Sequence, residues 1–366
     1  MEDISKLVRI DMSRFGEYSP CKSPEVIAKK LGVPEEEIIK LDANENPYGC
    51  SPVVRKALAE YPYYHIYPDA AHTELRSALE QYTGLKKDYL VAGNGSDELI
   101  DLLLRMFLDV GDEIITNVPT FDMYRFSTEV CRGRVINIKR NNDFSLDIES
   151  IKKSITPRTR LIFITNPNNP TGTNIPLEDI MELQQTGLPL VVDEAYYEFS
   201  GKSVIDLVPQ YGNLMVLRTF SKWAGLAGLR IGYGAFPLKI AGILMKIKPP
   251  YNVNLAAMVA ARESINDKDY LLGTVKKMIE ERSRLMKELQ NIDYLKPVPS
   301  HANFILCEVT RGNAKLIQDE MENRGILIRY YNTPLLSNYV RFSVGKPEQT
   351  DRIIEALHEI REKMNE

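Results

Sequence analysis

The chain has 366 residues, with 46 Lys and Arg against 50 Asp and Glu, a formal net charge of −4, 44% hydrophobic and 26% charged residues. This is the balance of an ordinary globular protein, long enough for two or three domain-sized units. A slightly acidic chain does not suit a partner bound by neutralising phosphates, so no nucleic acid is expected. No apolar run approaches the ~18 residues needed to cross a bilayer, and Met1 to Arg14 is charged without an apolar stretch, so neither membrane nor secretory signal is expected.

In chain order, residues 1–40 read as a charged arm broken by Pro20, Pro24 and Pro34, with a short helix near 24–31. From Tyr89 the pattern becomes strand then helix. Tyr89–Ala92 is a short apolar strand ending at Gly93, and Ser96–Leu108 a helix with Asp97 and Glu98 in its first turn. Strands follow at 113–116, 134–138, 160–165, 188–192, 214–217 and 230–235, with helices at 121–130, 147–154 and 177–185 between them. Alternating strands and helices imply βαβ units and a mostly parallel sheet covered on both faces. After Pro249-Pro250 the texture changes. Helices are expected near 255–264, 270–289, 314–323 and 347–363, and strands at 303–309, 326–329 and 339–343. The predicted architecture is α/β: a large domain at 41–247 with a mostly parallel sheet between helices, a smaller α+β domain at 248–366, and the arm packed with the smaller domain.

Chemistry gathers at four places. Lys222 sits in SKWAGLAGLR, a glycine-rich stretch beyond the strand 214–217. A desolvated lysine there has its ammonium disfavoured and its amine made nucleophilic; taken alone, it reads more readily as a loop lysine at the surface. Asp193 ends a buried strand, where ligands of parallel sheets bind. It suits either a cation such as a protonated pyridine nitrogen or a helix cap. Asn169 lies in NPNNPTG (166–172), a loop too long for a plain turn, and offers an amide donor at the same sheet edge. Gly93-Asn94-Gly95-Ser96 leads from strand into helix, which suits a phosphate. It is no dinucleotide fingerprint, because position 98 is Glu. The four cysteines form no CxxC pair and the four histidines no HxxxH pattern, so no disulfide framework and no metal site is expected. Phosphate cradle, lysine, acid and amide together are the equipment for pyridoxal 5′-phosphate.

With LDANENPYG (41–49), YPDAAHTELRSAL (67–79), GNGSDELI (93–100), VPTFDMY (118–124), NPNNPTG, VVDEAYYEF (191–199), RTFSKWAGLAGLRIGY (218–233), SHANFIL (300–306) and YVRFSVG (339–345), the chain resembles fold-type I pyridoxal-phosphate-dependent aminotransferases. Within them it is most similar to the histidinol-phosphate branch. The resemblance implies a cytoplasmic homodimeric transferase of histidine biosynthesis. It would exchange the amino group of L-histidinol phosphate with 2-oxoglutarate, giving imidazole-acetol phosphate and L-glutamate. An aromatic or other amino-acid aminotransferase and a threonine-phosphate-type decarboxylase are the alternatives on the same fold.

The resemblance also implies roles. Lys222 matches the lysine bonded to the cofactor, Asp193 the carboxylate on the pyridinium, and Asn169 and Tyr196 the donors to the phenolic oxygen. Ser96 with its neighbours Gly95 and Asp97, together with Thr219, Ser221 and Arg230, matches the phosphate cup. Tyr67 matches a tyrosine that reaches the neighbouring subunit's cofactor. Phe121 stands where an aromatic ring stacks on the pyridine, without the hydroxyl of the more usual tyrosine. Trp223 replaces a small residue and either narrows the pocket or packs. Arg341, Arg329, Tyr18 and Asn44 match substrate-side positions. Histidinol phosphate lacks a carboxylate while glutamate has two, and a guanidinium fork suits carboxylate and phosphate alike. Arg341 is therefore expected to serve both halves of a ping-pong reaction.

Overall fold

The computed structural model describes residues 4–9, 12 and 22–364. Helix α1 (Pro24–Leu31) opens on a proline, whose missing N–H is no loss at a helix start, and closes on Gly32 in the left-handed region. After β1 (Ile39–Lys40) comes α2 (Pro52–Glu60), capped by the Ser51 hydroxyl, which accepts from Val53 and Val54 N–H. Then follow α3 (Thr73–Thr83), β2 (Leu90–Gly93), α4 (Ser96–Phe107), β3 (Glu113–Val118), α5 (Met123–Val130), β4 (Arg134–Lys139) and α6 (Ile148–Lys153). Next are β5 (Thr159–Thr165), α7 (Leu177–Gln184), β6 (Leu190–Asp193), α8 (Tyr197–Ser200), β7 (Leu214–Thr219), β8 (Gly232–Ala235) and α9 (Leu238–Ile247). The chain continues with α10 (Leu255–Asn266), α11 (Lys268–Gln290), β9 (Leu295–Pro297), β10 (Phe304–Val309) and α12 (Ala314–Asn323). It closes with β11 (Ile326–Leu327), β12 (Arg329–Tyr330), β13 (Tyr339–Ser343) and α13 (Pro347–Glu359). No helix among the described residues is long and apolar enough to cross a membrane.

The large sheet has the order β2-β8-β7-β6-β5-β3-β4. From β4 to β7 every neighbour is parallel, whereas β8 runs against both β7 and β2. With one reversed strand among seven, the sheet is mostly parallel, as expected. The 12 residues between Thr219 and Gly232 turn back at one sheet edge without a crossover helix, so β8 returns antiparallel. The expected strand at 230–235 accordingly begins at Gly232, with Arg230 left in a turn at φ 54°. Strand register then brings Thr165 beside Asp193, Thr219 beside Gly232, and Gly232 beside Gly93.

Alternation along the strands builds two apolar layers. Val91, Ile114, Phe163, Val191, Met215 and Leu217 pack with α4 and α9 on one face. Ala92, Ile115, Ile162, Ile164, Val192 and Val216 pack on the other, with α3, α7 and α10. A second core collects Leu285, Leu289, Ile305, Ile317, Met321, Phe342, Ile353 and Leu357 around the antiparallel sheet β12-β13-β10-β9.

The division expected at 247/248 does not match this packing. Ala257, Ala260 and Ala261 of α10 lie in the large core, and along α11 the core changes between Met278 and Leu285, although Ala302, Phe304 and Val344 beyond it pack in the large core. Pro249-Pro250 ends a helix, but the next helix packs on the same unit. Residues 22–40 of the arm lie on the smaller unit, where β1 pairs with β11 and Lys22 and Lys30 both bond Glu322, whereas Arg9 Nη2 donates to the Val130 carbonyl of the large unit at 3.1 Å. The expected strand 326–329 is split, because Ile326–Leu327 pairs with β1 while Arg329–Tyr330 pairs with β13.

Gly225 marks a close approach. It sits at φ +67°, and an added Cβ would lie 2.4 Å from the Gly49 carbonyl carbon and 2.8 Å from the Cys50 nitrogen. Left-handed strain of ~1–2 kcal/mol and overpacking of ~1–3 kcal/mol act together. Gly225→Ala should therefore lose about 2–5 kcal/mol in denaturant unfolding, while Gly228→Ala, with nothing within 4 Å of the added carbon, should stay within about 0.5 kcal/mol of wild type.

Candidate active site

The strand ends and loops enclose a cleft of about 1130 Å³, room for more than one small molecule. Its walls include Asn44, Ser96, Asp97, Phe121, Asn169, Asp193, Tyr196, Thr219, Ser221, Lys222, Arg230, Arg329 and Arg341. These residues converge from both units.

Asp193 is buried at the end of β6. Its Oδ2 accepts from the Tyr124 hydroxyl at 2.6 Å and its Oδ1 from Ala195 N–H at 3.0 Å. Burial pushes the carboxyl up to about 6, although both donors favour the ionised form. Lys222 lies three residues past β7, and its Nζ donates to the Ala43 carbonyl at 2.8 Å. Desolvation, aided by the Arg341 guanidinium, pulls its ammonium down to about 8.

The glycine turn and the loop after β7 form a cradle. At Gly95, φ +78°, an added Cβ would lie 2.5 Å from Arg230 Nη2, and at Gly232 one would lie 2.6 Å from the Ser96 nitrogen. Side chains at either position would fill the space before the N-terminus of α4. Arg230 Nη2 bonds Asp97 Oδ2 at 2.9 Å, and Thr219 Oγ1 donates to Ser221 Oγ at 2.9 Å. Hydroxyls, a guanidinium and helix N–H groups around a space kept clear by glycines fit a phosphate. A desolvated lysine and a buried acid beside them fit the carbonyl and ring nitrogen of pyridoxal phosphate.

Arg341 is buried, with its guanidinium carbon 5.0 Å from the Phe304 ring centroid. Nη1 donates to Asn169 Oδ1 at 2.5 Å, Nη2 donates to the Asp42 carbonyl at 2.6 Å, and Nε has no partner among the described residues. With its oxygen held by Arg341, the Asn169 side chain keeps its NH₂ as the free donor. Arg329 faces Arg341 across the β12–β13 ladder.

Asn44, expected on the substrate side, lines the cleft and also bonds both units. Its Nδ2 donates to the Tyr196 hydroxyl at 2.9 Å and its Oδ1 accepts from Ser343 Oγ at 2.9 Å. Those bonds turn the side chain to joining the units. The Tyr196 hydroxyl, accepting from Asn44, keeps its own proton to donate. Burial raises its pKa to about 12, so the proton stays on.

Trp223 is buried and stacked on Tyr82 at 5.3 Å, so it packs and does not narrow the cleft. Tyr67 is 79% exposed, stacks on Tyr251 at 4.6 Å, and lies outside its own chain's cleft. Tyr18 falls outside the described residues. Sequence reasoning missed Tyr124, the partner of Asp193. The available signal was its position one helical turn after Phe121 in VPTFDMY.

Fold and cleft define a pyridoxal-phosphate transferase architecture. Residues 36–357 match the family described as aminotransferase class I and II, and the chain belongs to that family. A histidinol-phosphate aminotransferase of Dehalococcoides mccartyi is 51% identical over 360 residues, 98% of this chain and 99% of that protein. The chloroplastic histidinol-phosphate aminotransferase 1 of Arabidopsis thaliana is 45% identical over 353 residues, 96% of this chain and 85% of that protein. The solved structure of histidinol-phosphate aminotransferase from Sinorhizobium meliloti in complex with pyridoxal-5′-phosphate is similar with a TM-score of 0.86 and 26% identity. It covers 96% of this chain and 99% of that one.

The lowered ammonium gives a direct check. In the ligand-free chain, reductive alkylation of Lys222 by a small aldehyde should rise with a midpoint near pH 8, whereas a surface lysine follows a midpoint near ~10.4. Peptide-resolved labelling rates measure both. A Lys222 profile that tracks the surface lysines would contradict its desolvation.

Proposed function

We propose that the chain catalyses transamination between L-histidinol phosphate and 2-oxoglutarate, giving imidazole-acetol phosphate and L-glutamate, with pyridoxal 5′-phosphate as cofactor. The observation that carries this reading is the pair Arg329 and Arg341, cross-strand neighbours lining the same cleft as Lys222 and Asp193. Two guanidinium groups suit a phosphate dianion in one half-reaction and a carboxylate in the other. The names of the relatives at 51% and 45% identity support the same substrate.

Bound pyridoxal phosphate supplies a carbonyl that condenses with amines and a protonated ring that accepts an electron pair. Ser96, Thr219, Ser221, Arg230 and the first N–H groups of α4 hold its phosphate. Asp193 holds the proton on the ring nitrogen. The Asn169 amide and the Tyr196 hydroxyl donate to the phenolic oxygen, and Phe121 offers an aromatic face without a hydroxyl. Lys222 would hold the cofactor at its carbonyl carbon, and its Nζ, when free, would carry the proton at the substrate α-carbon, as base and then as acid. An amine titrating near 8 can do both close to neutrality. Arg341 binds the carboxylate of glutamate, and Arg329 joins it on the phosphate of histidinol phosphate.

The proposed assembly is a homodimer with shared sites. Tyr63, Tyr64, Ile66, Tyr67 and Tyr251 form an exposed aromatic patch, with Tyr61 against Tyr63 and Tyr64. Such a patch on one face favours covering by a second copy. Tyr67 would then reach the partner's cofactor phosphate.

Mixing the cofactor-loaded chain with single amines tests the substrate: histidinol phosphate should convert the cofactor to its amine form far faster than phenylalanine or threonine phosphate. Losing a charge-assisted hydrogen bond costs roughly 1.5–3 kcal/mol. Arg329→Ala should therefore lower kcat/KM for histidinol phosphate by about ten- to over a hundredfold and affect phenylalanine less. A wild-type preference for phenylalanine would promote the aromatic aminotransferase, and loss of carbon dioxide from threonine phosphate the decarboxylase.

Mixing inactive Tyr67→Ala and Lys222→Ala subunits tests sharing. A hybrid dimer collects both defects in one site and leaves the other intact, so activity should return. No recovery after confirmed subunit exchange would reject a shared site.

A further inference from the structure

Asp193 ends a chain of hydroxyls whose protons can be counted. The Tyr124 hydroxyl donates to Asp193 Oδ2 at 2.6 Å and lies 2.9 Å from Thr165 Oγ1. Thr165 Oγ1 lies 3.2 Å from Thr120 Oγ1, which donates to Asn168 Oδ1 at 2.9 Å. The Asn168 amide cannot be turned round. Its nitrogen donates to the Pro119 carbonyl at 3.1 Å and to Thr171 Oγ1 at 2.9 Å, and a carbonyl only accepts. The chain thus ends on an acceptor at Asn168, and on a second acceptor when Asp193 is ionised.

Tyr124, Thr165 and Thr120 bring three protons to four contacts. One contact must lack a proton, and the longest, Thr120–Thr165 at 3.2 Å, is where the gap falls. The directions follow. Thr165 donates to Tyr124, Tyr124 donates to Asp193, and Thr120 donates away to Asn168. Protonating Asp193 supplies the fourth proton and closes the gap, with every donor then pointing toward Asn168.

Tyr124, Thr165, Asn168 and Asp193 are buried, so water does not cheaply replace the bonds joining Thr165, Tyr124 and Asp193, while Thr120 is half-buried in the cleft wall. The charged groups acting on Asp193 from its surroundings include Asp97 of α4 and its own neighbour Glu194, and both favour the neutral acid. Among the described residues no lysine, arginine or histidine donates to it. The tyrosine hydroxyl and the Ala195 N–H are therefore what keep the carboxylate charged.

We propose that Tyr124 is a positioning residue: polarised by Thr165, it holds the Asp193 carboxylate ionised and, through it, the proton on the cofactor's ring nitrogen, while the unfilled Thr120–Thr165 contact favours the neutral acid. Only the link to the ring nitrogen rests on the cofactor reading above. The ionisation of Asp193 is a property of the chain alone.

The experiment titrates the full, cofactor-free chain carrying ¹³Cγ-aspartate, with the Asp193 signal assigned by its loss in Asp193→Asn. Tyr124→Phe should raise the Asp193 midpoint by about one to two pH units, the size of one lost hydrogen bond to a charged group. Thr120→Val should lower it by up to about one unit, because it removes a hydrogen bond made only by the neutral acid. A general loosening of the fold would move both variants the same way, so shifts of one sign, or no shift in Tyr124→Phe, overturn the proposal. Should Tyr124→Phe fail to fold, Thr120→Val decides, an upward or absent shift overturning it. Pyridoxal phosphate is then titrated by absorbance, and Tyr124→Phe should bind about tenfold or more weakly, matching a midpoint raised by at least about one on the pH scale. Opposite shifts with equal cofactor affinity in wild type and Tyr124→Phe would break the link to the ring nitrogen. Opposite shifts with no binding by wild type would reject the cofactor reading and leave the ionisation device standing.

Discussion

Six residues, 41–46, are bonded to both units, and the cleft depends on how they are held. Leu41 lies in the smaller core, its N–H donating to Leu327 and its carbonyl accepting from Ser343. The next carbonyls turn to the site: Asp42 accepts from Arg341 and Ala43 from Lys222. Asn44 bonds Tyr196 of the large unit and Ser343 and Asn303 of the smaller one. It does so at φ 55°, a conformation asparagine tolerates better than most residues. Asn46 Nδ2 then donates to the Trp223 carbonyl, next to Lys222. One short stretch therefore sets the lysine of one unit against the arginine of the other.

Burial acts on the two central ionisable groups in opposite directions. It raises Asp193 to about 6 and lowers Lys222 to about 8. Between about pH 4 and 6 the folded chain holds more protons at Asp193 than the unfolded one, so stability falls as pH rises through that window. Between about 8 and 10.5 the unfolded chain holds more protons at Lys222, so stability climbs as pH rises there. Both penalties are fully present between 6 and 8. The site is thus least favourable to folding where a lysine able to gain and lose a proton and an ionised acid are both at hand.

The large unit offsets such strain behind the cleft. Consecutive residues at the end of β6 point to opposite sides, Asp193 to the cleft and Glu194 to a buried pair with Arg218 at 2.9 Å. Glu194 also accepts from the Ser203 hydroxyl and Val204 N–H, and the Arg218 guanidinium lies 3.6 Å from the Tyr197 ring centroid. A buried pair with its remaining bonds satisfied is hard to displace, since removing one partner strands the other. It braces β6 and β7, the strands that present the acid and the lysine.

What the sequence by itself determined is local: apolar runs that must be buried strands, glycines that turn the chain at their ends, and the placing of Lys222, Asp193, Asn169 and Ser96 just past those ends. Period and turn chemistry are properties of neighbouring residues, so they can be read without the fold. Tertiary structure alone decided that β8 runs backward, that α10 stays with the large unit, that Asn44 joins units, and that Tyr124 holds Asp193. The bond from Arg341 to Asn169 joins residues 172 apart, and that from Asn44 to Ser343 joins residues 299 apart. Such pairs form when distant segments are packed together, and neither periodicity nor turn chemistry at either end carries a mark of the partner.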